Sequence, residues 1–104
     1  MNEARGSGRT TQQMLSAREG SVFVCGNREL LYANKLAARI GRTDLEIVGP
    51  QWLENGWIGR SLSGLVIDHA ARQFMTATQR ENIAHAYVRV RPIEVASKIG
   101  RGME

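Results

Sequence analysis

Two short segments carry the side chains with the clearest chemical potential. The first is Gly6-Ser7-Gly8-Arg9-Thr10, with Thr11 after it. Glycines let successive backbone N–H groups turn toward an anion, and a helix starting here adds the positive end of its dipole. Arg9 supplies a planar fork suited to phosphate oxygens. The second is Leu65-Val66-Ile67-Asp68-His69, an apolar run that ends in an acid. A carboxylate there suits a magnesium ion, so Asp68 is the candidate metal residue. His69 can accept a proton near neutral pH, although it is not the usual group for activating an attacking water. Each segment also has an ordinary structural use. Ser7 or Thr10 can cap a helix, and Asp68 can cap the one that follows it.

Segments this far apart act together only if the fold brings them together. Ser21 to Cys25 is a continuous apolar run closed by Gly26-Asn27, the pattern of a buried strand. Further strands are expected at Leu45–Val48 and Leu65–Asp68. Helices are expected at 9–18, at 28–40 with Asn27 as cap, and at 71–85 with Phe74, Met75, Thr78, Asn82 and Ile83 in one stripe. Leu30, Ala33, Ala37 and Ile40 step by helical spacing, and Gly41 ends that helix. Residues 51–64 read as a loop holding one helical turn. Residues 86–93 alternate, with Val88 and Val90 inward, and predict a fourth strand at an edge or ending at Pro92.

Strands alternating with helices predict a three-layer α/β fold, a short and mostly parallel sheet of 3–4 strands with flanking helices. The shortest arrangement puts 21–25 in the middle, 45–48 on one side and 65–68 on the other. Strand order then reverses between 21–25 and 65–68, where open sheets favour ligands beyond the carboxyl ends. Gly26, Asn27, Asp68 and His69 are expected there, and the start of the first helix faces the same edge. Residues 1–8 read as a flexible arm, 9–97 as one domain and 98–104 as a frayed tail.

The 104 residues give room for one modest core, and 42% apolar against 23% charged residues argues against disorder throughout. The net charge of +4 comes from arginine, since only Lys35 and Lys98 are lysines. That charge permits an anionic partner without naming one. Arg89 and Arg91 on one strand face, with Arg39, Arg42, Arg60 and Arg72, could form a patch that admits nucleic acid as a partner, although solvated arginines are the default and no nucleic-acid module signature is present. A lone Cys25 excludes an intrachain disulfide framework and reads as packing. His85 reads as incidental. Trp52 and Trp57 suit stacking or a protein partner if exposed, and at least one is expected to pack over the sheet. No apolar run is long enough for a transmembrane helix and the N-terminus is not a signal peptide, so a cytoplasmic protein is expected.

Gly-Arg-Thr-Thr at 8–11 and Ser-Gly-Leu-Val-Ile-Asp-His at 63–69 together resemble the front half of a P-loop ATPase of the RecA or helicase type. The whole pattern is similar to small bacteriophage proteins that open with Gly-x-Gly-Arg-Thr-Thr and later carry Ile-Asp-His. The likeness spans roughly residues 5–70. In the full motif a lysine and the next hydroxyl serve the phosphates and magnesium. Arg9 stands at the lysine position, Ala4 where the leading glycine belongs, and His69 where many ATPases have glutamate. Only Met1 to Arg5 precede Gly6, too few for the strand that leads into a working P-loop. The resemblance therefore implies a degenerate, non-hydrolysing binding protein of phage origin, active in the host cytoplasm. It implies a nucleotide or other phosphorylated ligand, with magnesium, held by Gly6, Ser7, Gly8, Arg9, Thr10, Asn27, Asp68 and His69. The alternative is a protein-interaction module that modulates a host or phage complex without a ligand site. A homodimer through an exposed sheet edge is compatible with either.

Overall fold

The computed structural model describes residues 8–92. Helix α1 (Arg9–Ser16) leads into β1 (Val22–Val24), and a 3-10 turn (Asn27–Glu29) leads into α2 (Leu30–Arg39). Next come β2 (Glu46–Val48), the single turn α3 (Trp52–Asn55) and β3 (Leu65–Ile67). A second 3-10 turn (Arg72–Phe74) and α4 (Ala77–Tyr87) complete the described elements. The sheet has the order β2-β1-β3, and both pairings are parallel. This is the α/β arrangement expected from the sequence, with 21–25 in the middle. None of the described helices is long and apolar enough to cross a membrane.

Alternation of side chains along the strands divides the core into two halves. On one face Val22, Val24, Leu65 and Ile67 pack with Leu53, Leu62, Met75 and Ile83 from the second half of the chain. On the other, Phe23 packs with Met14 of α1 and with Ala33, Leu36 and Ala37 of α2, joined by Ile47 and Val66. All three β1 residues are buried because the strand has a neighbour on each edge and helices on both faces. Burying the Phe23 side chain alone contributes on the order of 1.5–3 kcal/mol.

Several local expectations change. Asn27 does not cap α2. It belongs to the 3-10 turn, the helix has no side-chain cap, and the Asn27 side-chain oxygen Oδ1 instead lies against Gly49, where a Cβ would collide with it. The last long helix starts at Ala77 and not at 71, because Thr76 and Gln79 form a capping box with reciprocal bonds of 3.1 Å. That start points Met75 into the core and leaves Phe74 70% exposed, outside the expected stripe.

There is also no fourth strand over 86–93 within the described residues. Helix α4 runs through Tyr87, and Val88, expected inside, is 80% exposed. Val90 makes a single parallel bridge to Leu62. Local amide bonds Val88→Ala84, Arg89→Ala86 and Val90→Tyr87 take the donors a strand would have used. Arg89 and Arg91 consequently do not share a strand face. The Arg89 guanidinium lies 5.8 Å from the Trp57 ring centroid, and Arg91 donates to Ser63 Oγ at 2.9 Å. Trp52 and Trp57 are both partly buried against the first core half, and Trp57 stacks on His85 at 6.1 Å. The expected arm at 1–8, apart from Gly8, and the tail at 98–104 lie outside the described residues.

Candidate functional site

The site begins with how α1 is held. Gly8 starts the helix with φ of 100°, a left-handed conformation that suits glycine, and its carbonyl accepts from the Gln12 amide at 2.7 Å. No side chain caps this helix start. Met14, fully buried, pins one face of α1 to the sheet. At the other end Arg42 donates to the carbonyls of Met14, Leu15 and Arg18, while Asp44 holds its guanidinium at 2.9 Å. A cation on the last carbonyls complements the helix dipole. Asp44 also accepts from the Gly20 amide, and these bonds hold its carboxyl far below the usual carboxylate range.

Thr10 and Gln13, three residues apart, share the face of α1 that looks at the end of β3. Thr10 Oγ1 donates to Asp68 Oδ1 at 3.3 Å. Gln13 Nε2 donates to the Ile67 carbonyl at 3.2 Å, and Gln13 Oε1 accepts from the His69 amide at 3.2 Å. One carboxamide thus pairs with the backbone on both sides of Asp68, much as a neighbouring strand would. His69 Nδ1 lies 3.1 Å from Asp68 Oδ1 and 3.0 Å from Gln13 Oε1. Both neighbours are acceptors, so the ring carries its proton on Nδ1. Asp68 is 4% exposed, and its amide and carbonyl are used by Val24 and Ala71. Its side chain therefore serves Thr10 and His69 and does not cap the following turn.

Two hollows adjoin this cluster. A small pocket of about 60 Å³ is lined by Thr10, Cys25, Glu29, Tyr32, Asp68 and His69. Beyond Glu29 and Ala70 a wider cleft of about 300 Å³ opens at the ends of β1 and β2, with Gly26, Asn27, Arg28, Pro50 and Phe74 in its walls. Of the residues expected at the site, Thr10, Asp68 and His69 meet directly. Gly8 and Arg9 lie at the start of the same helix, Arg9 exposed. Asn27 lines the neighbouring cleft and not the Asp68 pocket. Gly6 and Ser7 lie outside the described residues. Gln13 escaped the sequence reading, because a glutamine in a polar helix reads as solvated. Its spacing of three from Thr10 was the available signal.

The two acids facing the small pocket also act on Cys25. Burial, then the charges of Asp68 and Glu29, push its thiol up to about 12 from an ordinary 9.0. At 1% exposure it is packing and not a nucleophile. Iodoacetamide labelling of the folded protein at pH 8.5, followed by mass, should proceed only as fast as the protein opens. Labelling at the rate of an exposed thiol would contradict this placement. The linkage has a definite sign. Between about 9 and about 12 the unfolded thiol ionises while the folded one stays protonated, so this group's contribution to stability is full below 9 and falls as pH rises through that window. Among the described residues no group of three or more His, Cys, Asp or Glu side chains could hold a metal ion unaided. No family model, curated protein or solved structure matches the chain.

Proposed function

We propose that the chain binds a phosphorylated ligand, a nucleotide accompanied by magnesium, and does not hydrolyse it. The observation that carries this reading is the Thr10 to Asp68 hydrogen bond, which joins the start of α1 to the end of β3 across 58 positions of sequence. A hydroxyl and a carboxylate 3.3 Å apart fit neighbouring positions around one magnesium ion, whose octahedral oxygens at ~2.1 Å stand ~3 Å from each other. Thr10 and Asp68 would hold the ion, which would supply positive charge between the carboxylate and the phosphates. The uncapped first-turn amides of α1 and the exposed Arg9 favour an anion beside it.

Electrostatics make the ion a requirement. Asp68 and Glu29 both line the small pocket, so a bare phosphate would meet two carboxylates. Hydrolysis lacks support because His69 stands after Asp68 and its Nδ1 is engaged by Asp68 and Gln13. The reading fits a degenerate relative of P-loop ATPases, of phage origin, in which binding outlasts catalysis.

Thermal unfolding with ATP, with and without magnesium, tests the proposal. Magnesium with millimolar ATP should raise the midpoint, by the equivalent of about 2.7 kcal/mol at a hundredfold excess over Kd. ATP alone should do little, and Arg9→Ala or Asp68→Asn should remove the shift. No shift under any of these conditions would overturn the reading. A second reading, a module that binds a host or phage protein, draws on Leu31 and Tyr32, which are 69% and 47% exposed side by side on α2. It predicts a partner whose binding survives Arg9→Ala.

A further inference from the structure

The 300 Å³ cleft next to Asp68 is where an organic part of the ligand would lie, and its walls are chemically selective. Phe74 offers an aromatic ring that is 70% exposed, although a core position was open to it by sequence. It is displaced because the turn Arg72–Phe74 sends Met75 inward at 5% exposure. Pro50, itself buried, and Ala70 form apolar walls. Asn27, with both a donor and an acceptor on its carboxamide, and Arg28 contribute the polar rim. Glu29 and Ala70 line this cleft and the Asp68 pocket alike, so the two hollows form one crevice with a charged end and an aromatic end. The volume is at the lower limit for small-molecule sites, enough for a ring and a sugar.

We infer that Phe74 is the stacking platform for the base of the nucleotide, with Asn27 at the base edge and the phosphates toward Thr10 and Asp68. This rests on the nucleotide reading above and adds to it the part of the ligand that gives affinity beyond the phosphates. Stacking of a base on an aromatic side chain is sequence-tolerant, because every base has a π-face. Nucleotides of all bases should therefore bind, with purines favoured through their larger overlap.

Calorimetric titration of the full chain with magnesium ATP and with magnesium tripolyphosphate separates the two ideas. ATP should bind about tenfold more tightly than tripolyphosphate. Phe74→Ala should erase that difference and leave tripolyphosphate affinity unchanged, which an exposed side chain allows without loss of the fold. Phe74→Trp should keep the difference, and Phe74→Leu, apolar but without a π-face, should lose most of it. Equal affinities for the two probes in the unaltered protein, or a Phe74→Ala variant that binds ATP normally, would overturn the inference and leave the phosphate site standing. If neither probe binds, the nucleotide reading and the inference fall together.

Discussion

Met14→Ala should lower unfolding stability by about 2–5 kcal/mol, the range for emptying a buried methionine site. Met14 is fully buried between α1 and the central strand, in contact with the core half built around Phe23. Helix α1 has eight residues, fewer than the ~12–15 that an isolated helix needs to be even marginal in water. Its existence therefore depends on docking, and docking depends on Met14, on the Gln13 carboxamide and on Arg42. Loss of the Met14 contacts should release Thr10 from Asp68 along with the helix. Leu15→Ala is the natural control, since Leu15 is the adjacent residue and is 52% exposed. Urea unfolding should give a small change for Leu15→Ala and a large one for Met14→Ala, and equal losses would mean that α1 does not pack as described. Met14→Leu, nearly volume-conserving, should cost less than about 1.5 kcal/mol. Because the helix carries the candidate site, Met14→Ala should also weaken any magnesium-nucleotide binding at temperatures where the rest of the domain remains folded.

The sheet was legible because its signals are local and unambiguous. The apolar runs at 21–25 and 65–67 end at a glycine or a polar pair as buried strands do, the shorter 45–48 segment stops at Gly49-Pro50, and helices between them leave parallel pairing as the simple topology. The order β2-β1-β3 follows, and with it the meeting of α1 with Asp68 and His69. What misled was competition between two local patterns. Tyr87-Val88-Arg89-Val90 alternates as a strand does, yet Thr76 and Gln79 cap a helix whose last turn reaches Tyr87. Propagating a helix already nucleated costs less than starting an isolated edge strand, so the alternation was spent on a helix end and a bridge. The same cap decided the fate of Phe74. Gln13, Arg42 and the Asn27–Gly49 contact were illegible for another reason. The contacts that dock α1 and the turn run largely to backbone groups or to a glycine brought close by the fold, which no pairing of side-chain types in the sequence announces.

Gly64→Ala should destabilise the domain by about 2–4 kcal/mol, as overpacking and a displaced hydrogen bond together. The position sits just before β3, where the Gly64 carbonyl accepts from the Val22 amide at 3.0 Å. A Cβ there would collide with Ser21 Oγ, while the Cβ atoms of Ser21 and Arg18 would stand at ordinary contact distance. Ser21 cannot simply move away. It is 0% exposed, its Oγ donates to the Arg18 carbonyl at 2.7 Å, its amide bonds the same carbonyl, and its own carbonyl accepts from Glu46. The backbone of Ser21 thus ties β1 to β2 at the point where Gly64 ties it to β3. Relief can come only by parting strands or by breaking the Ser21 hydroxyl bond. A double-mutant cycle distinguishes this collision from a general loss of backbone flexibility. Ser21→Ala alone should cost about 1 kcal/mol for its hydrogen bond. Combined with Gly64→Ala it should cost less than the sum of the two, with a coupling on the order of 1–2 kcal/mol, because the oxygen in the way has gone. Additive losses would show that the collision does not limit the packing. Ser21 and Gly64 lie at the amino-terminal edge of the sheet, whereas Thr10, Asp68 and the Phe74 cleft lie at the opposite edge. Gly64→Ala should therefore change stability without changing the nucleotide affinity of the molecules that remain folded, the reverse of what a substitution within the crevice should do.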